Sequence, residues 1–368
     1  MKKRFDEVFV DKTKYGTKIK TDEYHKNGEH LIIDQGKTDV AGYTDLEEGL
    51  FTEVPVVIFG DHTRVIKYVD KPFFLGADGT KVLRSKIADA NYKYLYYALK
   101  SVKLPNTGYN RHFKWLKEVE IQYPEVSKQK EIADILDRII GIINARKSEL
   151  QKLDELIKAR FVEMFGDMYL NTKGWSEAKL ESMADVVSGI TKGRKTKSED
   201  LTEVPYMAVS NVKDGYIDWT TVKTIEATQQ EIEQYRLLAD DVLMTEGGDP
   251  DKVGRGAIIK EPLENCIHQN HIFRVRLDES VVLPEFFAEY LQHQRSKRYF
   301  LGCAKQTTGI ASINMTQLRA LPVLIPPLSK QEEFVLFKAQ VDKSKVVMQK
   351  ALDETQKLFD SLMQQYFG

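Results

Sequence analysis

At 368 residues the chain exceeds the roughly 250–300 at which single cores stop growing, so more than one domain is expected. Its 42% hydrophobic and 30% charged content is that of an ordinary globular protein, and no apolar run approaches the roughly 20 residues a membrane helix needs. The 54 Lys and Arg against 55 Asp and Glu leave a net charge of −1, which argues against a free-standing, non-specific nucleic-acid binder and makes any basic surface local.

The chain opens Met1-Lys2-Lys3-Arg4-Phe5-Asp6, basic but with no apolar segment behind it, so it does not read as a secretory signal and a cytoplasmic location is expected. A short apolar stretch, Leu31 to Ile33, precedes Gly42-Tyr43. Val56 to Asp61 and then Arg64 to Ile66 read as a strand, a polar turn and a returning strand. An aromatic helix is predicted over Tyr92 to Leu99, followed by a loop with Thr107-Gly108 and a strand-like lead-in, Leu116-Lys117-x-Val119-x-Ile121-x-x-Pro124. A long helix then opens at Ser127-Lys128-Gln129 and closes at Phe165-Gly166.

The same series is then written again. Tyr206 to Val209 precedes Gly215-Tyr216, as Leu31 to Ile33 precedes Gly42-Tyr43. Val242 to Gly248 and Arg255 to Ile259 form the second strand, turn and strand; Glu285 to Gln292 is the second aromatic helix, and Thr308-Gly309 marks the second loop. The lead-in Leu318-Arg319-x-Leu321-x-Val323-x-x-Pro326 runs into Ser329-Lys330-Gln331, and this segment ends at Phe367-Gly368. The two helical segments align without a gap at an offset of 202, matching Glu131 to Glu333, Leu150 to Leu352 and Leu156 to Leu358.

Within each segment the apolar positions recur in steps of three, four or, where one is skipped, seven. They are Ile132, Ile135, Ile139, Ile143, Leu150, Leu153 and Ile157, then Met164, and in the second copy Phe334, Phe337, Val341, Met348, Leu352 and Phe359, then Met363. That spacing marks a coiled-coil seam, and a helix of about 40 residues is roughly 60 Å long. The predicted fold is therefore α+β with an internal pseudo-two-fold repeat: two globular domains, 1–125 and 167–326, each followed by a long helix, 126–166 and 327–368, the helices pairing as an antiparallel coiled coil.

By its second half above all, the chain resembles the specificity subunits of type I restriction-modification systems. The resemblance is carried in order by Asp241-Val242-Leu243 with Thr245-Glu246-Gly247, Gly254-Arg255, Ile267-His268-Gln269-Asn270-His271-Ile272-Phe273-Arg274-Val275, Thr307-Thr308-Gly309-Ile310, Leu321-Pro322-Val323 and Pro326-Pro327-Leu328-x-x-Gln331. The first half departs from it, with Phe59-Gly60-Asp61-His62-Thr63-Arg64 standing where the second copy has its Glu-Gly-Gly loop. The resemblance implies a non-catalytic subunit that reads a bipartite target on double-stranded DNA. It implies two methyltransferase (modification) subunits and separate restriction subunits as partners, with S-adenosylmethionine, ATP and magnesium on those partners and no cofactor on this chain. No membrane is implied.

Base edges in the major groove are read by Arg or Lys at guanine and Asn or Gln at adenine, while basic side chains on phosphates set register. In the first domain the candidates are Lys12, Lys14, Lys18 and Lys20; His62, Thr63 and Arg64; and Asn106, Thr107 and Tyr109. In the second they are Lys192, Arg194, Lys195 and Lys197; Lys252 and Arg255; Gln269 and Asn270; and Lys305, Gln306 and Thr307. In His268-Gln269-Asn270-His271 two side chains are expected to pack inward and pin the strand that follows, His271 foremost.

Little points to chemistry. Gly189-Ile190-Thr191-Lys192-Gly193-Arg194-Lys195-Thr196 lacks P-loop spacing, and no Asn/Asp-Pro-Pro-aromatic motif of an amino-methyltransferase occurs. Cys266 and Cys303 have no partner at zinc-ligand spacing, although His268 and His271 are near Cys266, so a metal site is not expected. Two other classes stand beside DNA reading: a coiled-coil scaffold for proteins, which the near-neutral charge suits, and a metal-dependent endonuclease with its own reader domains, for which Asp61 beside His62, or Asp249 and Asp251, lack a third ligand.

Overall fold

The computed structural model describes the chain except Ala77, Asn106, Tyr109, 195–199, 250–252 and Thr308, and describes Gln306, Thr307 and Ile310 by backbone alone. It contains two compact units, Met1–Glu149 with Met348–Gly368, and Leu150–Val347. Each long helix, Val126–Phe165 and Leu328–Phe367, is thus shared between the units near its middle, and each unit holds the beginning of one helix and the end of the other.

In the first unit the opening strand Lys2–Arg4 pairs antiparallel with Glu120–Gln122, the strand that leads into the long helix. A four-stranded antiparallel sheet follows the order Phe9–Asp11, Thr80–Ser85, Val56–Gly60, Ile66–Val69. Val56–Gly60 is buried along its whole length, which is why a run of Val-Val-Ile-Phe without alternation forms a strand here: both faces are covered. A second sheet has the order Gly42–Thr44, His30–Ile33, Phe73–Leu75, the last pair parallel.

The helix Tyr92–Ser101 starts at Asn91, whose side chain accepts from the Tyr94 N–H, and buries Tyr94, Leu95, Tyr97, Ala98 and Leu99. Its tyrosines meet the end of the second long helix: the Tyr97 ring lies 6.3 Å from Phe359, and Tyr94 lies 5.2 Å from Phe367. Arg146 donates to the Ala351 carbonyl and the Thr355 hydroxyl, while Lys128, one helix start earlier, is in electrostatic contact with Tyr366. The two helical segments in this unit therefore run antiparallel.

The second unit repeats the topology strand for strand. Ser176–Lys179 pairs with the lead-in Pro322–Ile325; the four-stranded order is Ala184–Ser188, Ile272–Leu277, Val242–Thr245, Gly256–Ile258; and the three-stranded order is Lys223–Ala227, Thr202–Met207, Ile267–His268, again ending on a parallel pair. One further sheet, Gly247–Gly248, Ile310–Ser312, Lys305–Thr307, has no counterpart among the described residues of the first unit. The helix Pro284–Gln292 occupies the place of Tyr92–Ser101, with Gln294–Cys303 after it.

The core of this unit is built on phenylalanines from both long helices. Phe161 lies 5.3 Å from Phe334 and 5.5 Å from Phe286, and Phe165 lies 4.9 Å from Phe286. Phe165, Phe286 and Phe334 are fully enclosed, each contributing about 2–3 kcal/mol of apolar burial. Asp154 with Lys345 at 2.6 Å and Arg160 with Glu333 at 2.8 Å show the antiparallel sense again.

One expected correspondence shifts. Gly42 and Tyr43 lie in a strand whose counterpart is Lys223–Ala227, whereas Gly215 sits in a turn at φ +82, a backbone conformation that suits glycine. The shared Gly-Tyr pair occupies different structural places because a dipeptide fixes neither pairing nor register.

Candidate nucleic-acid interface

In the first unit the turn after Val56–Gly60 is held from both sides. Gln35 accepts from the His62 N–H at 3.1 Å, donates to the Asp78 carbonyl at 2.7 Å, and receives the Thr63 hydroxyl on its own carbonyl at 2.6 Å. Lys18 reaches the same corner, 2.6 Å from the Asp78 carboxylate. Buried Asp61 accepts from the Phe113 N–H at 2.8 Å, and its carbonyl takes the His112 N–H at 2.8 Å and lies 3.0 Å from Nδ1 of the His112 ring. The segment after Thr107, itself exposed, is thereby tied to the His62–Arg64 turn.

Arg64 adopts φ +61, which turns the chain back into its returning strand. It lines a cavity of about 570 Å³ with Lys37, Lys67 and Lys100 against one carboxylate, Asp39. Burial pushes the Lys67 pKa down against the pull of Asp34. Lys12 and Lys14 both lie 4.8 Å from the exposed ring of Tyr15, and Lys14 and Lys18 share a groove of about 480 Å³ with Lys81, Asp11 and Thr13. Lys20 is exposed nearby; Asn106 and Tyr109 lie outside the described residues.

In the second unit Gly247–Gly248 pairs with Ala311–Ser312, and Lys305 stands opposite Ser312, so the Glu-Gly-Gly loop and Lys305, Gln306 and Thr307 share one small sheet. The exposed His271 ring meets the Glu246 carboxylate through Nδ1 at 2.5 Å and Asn270 through Nε2 at 3.4 Å. His268, by contrast, is fully buried, with its ring nitrogens 3.1 Å from the Tyr235 carbonyl and 3.3 Å from that of Val187. The expectation for His271 is thus corrected: His268 is the side chain that points inward and His271 points outward, because Ile267–His268 is a short strand covered by Tyr235. Gln269 and Asn270 are half-buried, and Gln269 accepts weakly from the Val209 N–H at 3.4 Å.

Arg194 makes two hydrogen bonds to Glu231, at 2.6 and 2.5 Å, and a third to the Glu226 carbonyl at 3.1 Å. The guanidinium holds the Glu231 carboxyl down at about 2. Lys192 is exposed, and Arg255 is half-buried, its Nε enclosed without a hydrogen-bond partner among the described residues. Lys195, Lys197 and Lys252 lie outside the described residues.

On the long helices Ile132, Ile139, Ile143, Ile157, Phe334, Val341, Leu352 and Phe359 are buried, and Ile135, Leu150, Leu153, Phe337 and Met348 are half-buried. Leu136, Phe161 and Phe165 join them at steps the heptad pattern had passed over. Gln35 and Tyr15 were also missed. Gln35 carries no sequence signal, whereas an aromatic between two lysines marks a stacking surface.

Two further buried side chains are the glutamines of the repeated Ser-Lys-Gln. Gln129 accepts from the Asn91 N–H at 3.2 Å and donates to the Pro124 carbonyl at 2.9 Å. Gln331 accepts from the Leu283 N–H at 2.9 Å and donates to the carbonyls of Pro326 at 2.9 Å and Val281 at 3.0 Å. Among the described residues no three His, Cys, Asp or Glu side chains gather as metal ligands, and no helix is long and apolar enough to cross a membrane. Burial pushes the Cys266 thiol up to about 12.

The sequence pattern of the family described as the type I restriction modification DNA specificity domain matches residues 1–154 and 172–355. The chain is 24% identical over 230 residues to the EcoKI specificity subunit of Escherichia coli K12, covering 59% of this chain and 49% of that protein. It is 24% identical over 348 residues to the EcoR124I/EcoR124II specificity subunit of E. coli, covering 88% and 81%. The match to the MjaX specificity subunit of Methanocaldococcus jannaschii covers 45% of that protein, so the chain spans about half the length of several relatives. Among solved structures, the S subunit of a type I restriction-modification system from M. genitalium superposes with a TM-score of 0.61 at 18% identity, over 100% of this chain and 96% of that one. These likenesses establish a shared fold.

Proposed function

The chain belongs to the type I restriction modification DNA specificity domain family, and from that membership we propose that it reads a DNA target in two parts, one with each unit, for modification and restriction subunits that carry the chemistry. The observation that carries this reading is the pairing of one sheet topology with two different sets of loops. A common scaffold presented twice suits the same kind of ligand, and divergent loops suit two different base sequences.

In the first unit the reading surface is the corner organised by Gln35: Lys18, His62, Thr63 and Arg64, flanked by the Lys12, Tyr15 and Lys14 group. In the second it is the small sheet carrying Lys305, Gln306 and Thr307, with Asn270, the Glu246–His271 pair and Arg255 beside it. Lysines on phosphates supply salt-dependent affinity and the amide, imidazole and guanidinium groups supply base choice. Arg194, held by Glu231, orders its loop. S-adenosylmethionine, ATP and magnesium act on the partner subunits, in the cytoplasm.

The test is co-expression with a methyltransferase subunit of its system, followed by mapping of methylated adenines across the host genome with and without this chain. A split motif that appears only when the chain is present is the expected result. Methylation that ignores the chain, with no stable complex formed, overturns the reading in favour of a protein-binding scaffold.

A further inference from the structure

We propose that Gln129 and Gln331 are positioning residues that hold each reader at one fixed angle on its long helix, and that through this angle they set how strictly the distance between the two parts of the target is enforced. The inference rests on the DNA-reading proposal above.

Both glutamines are fully buried, and they occupy the same position of the internal repeat. Each sits near the start of a long helix, at Val126–Phe165 and Leu328–Phe367. Their acceptor oxygens receive the backbone N–H of Asn91 and of Leu283, the residues that immediately precede the aromatic helices Tyr92–Ser101 and Pro284–Gln292. Their donor nitrogens reach the carbonyls of Pro124 and Pro326, in the short connections between the lead-in strands and the long helices, and Gln331 donates to the Val281 carbonyl of the reader as well. One side chain thus ties the first turn of the long helix, together with the connection that enters it, to the start of the reader's aromatic helix in each unit.

An amide is suited to this because it is two-sided. A buried carbonyl oxygen and a buried NH2 both need partners, so the pairing is satisfied only when the start of the aromatic helix and the connection into the long helix both stand at hydrogen-bond distance from the same group. An apolar side chain of equal length fills the space and tolerates any small rotation that keeps the contact. The partners on the reader side differ between copies, Asn91 in one and Leu283 in the other, yet both engage through the backbone N–H, so the geometry is kept while the surrounding side chains change. Space-filling alone does not call for an amide that, in both copies, accepts from the residue before the aromatic helix and donates to the proline before the long helix.

The experiment uses the full chain in complex with its modification subunits, and a panel of duplexes carrying both parts of the target at the native separation and at separations one or two base pairs shorter or longer. Gln129→Met and Gln331→Met keep length and volume without hydrogen bonds; Gln129→Asn and Gln331→Asn keep the amide but shorten it by one methylene, so that it no longer reaches both partners. Wild type is expected to methylate the native separation alone. The Met variants are expected to keep base choice within each part while their preference for the native separation falls about tenfold, with the Asn variants between.

Met variants that fold and remain as strict as wild type overturn the proposal. So does a uniform loss on every separation that follows a fall in melting temperature, since that is what a purely structural role gives. Should the Met variants not fold, the Asn variants decide on the same readout. Wild type that methylates without requiring two parts removes the DNA-reading proposal itself, an outcome distinct from either.

Discussion

With its two ring nitrogens facing the carbonyls of Tyr235 and Val187, His268 sits in surroundings that favour the charged ring by hydrogen bonding and oppose it by burial. Burial wins, and the pKa is pushed down to about 4. In the unfolded chain the same ring takes its proton near the ordinary value of about 6.5. The stabilisation is therefore complete above that pH and is lost as the pH falls from about 6.5 towards 4, amounting to about 2 kcal/mol between pH 7 and pH 5. Urea unfolding of wild type and His268→Asn at both pH values tests this: the variant should lose less stability on acidification, and parallel losses would rule the argument out. Such a residue shows what single positions conceal. The quartet His268-Gln269-Asn270-His271 was legible as a tethered element, but which histidine turns inward depends on Tyr235, far away in sequence. Arg194 was legible as part of a basic glycine loop; its partner Glu231, 37 residues on, was not.

At the scale of elements, periodicity carried most of the information. The long helices, the aromatic helices and the strand pairs around residues 61 and 250 follow from local pattern, because each repeats a helical or extended period over enough residues to outweigh noise. The small sheet of Gly247–Gly248, Lys305–Thr307 and Ile310–Ser312 does not, since two- and three-residue polar strands have no period to read. Nor does the parallel pairing of His30–Ile33 with Phe73–Leu75, which joins distant segments. Arg146 illustrates a seam position that pattern alone misassigns: it is polar where its repeat partner is Met348, and it donates to Ala351 and Thr355 of the facing helix. A single polar group in an apolar seam fixes register at some expense in stability. Arg146→Met is expected to leave thermal stability unchanged or to raise it by about 1–2 kcal/mol, while disulfide trapping between cysteines placed in register and one turn out of register shows new, shifted pairs. A variant that is both less stable and still in one register contradicts this role.

For the whole molecule, the two units carry one topology with different loops, so on the proposed reading the two parts of the target should be separable. Replacing residues 1–125 with the corresponding segment of another family member is expected to change one part of the methylated motif and leave the other and the complex intact, as mapped methylation would show. A change in both parts would mean that the readers do not act independently. In each unit the first strand of the reader is hydrogen-bonded to its last, Lys2–Arg4 to Glu120–Gln122 and Ser176–Lys179 to Pro322–Ile325. The points where a reader departs from and returns to the framework are therefore neighbours, whatever lies between them, and the second reader accommodates an additional sheet without disturbing that joint. For a gene this is a favourable arrangement: a recombination event with both breakpoints in these two strands exchanges an entire domain as a closed loop, so that, on the proposed reading, a new target arises in one step from parts that already fold.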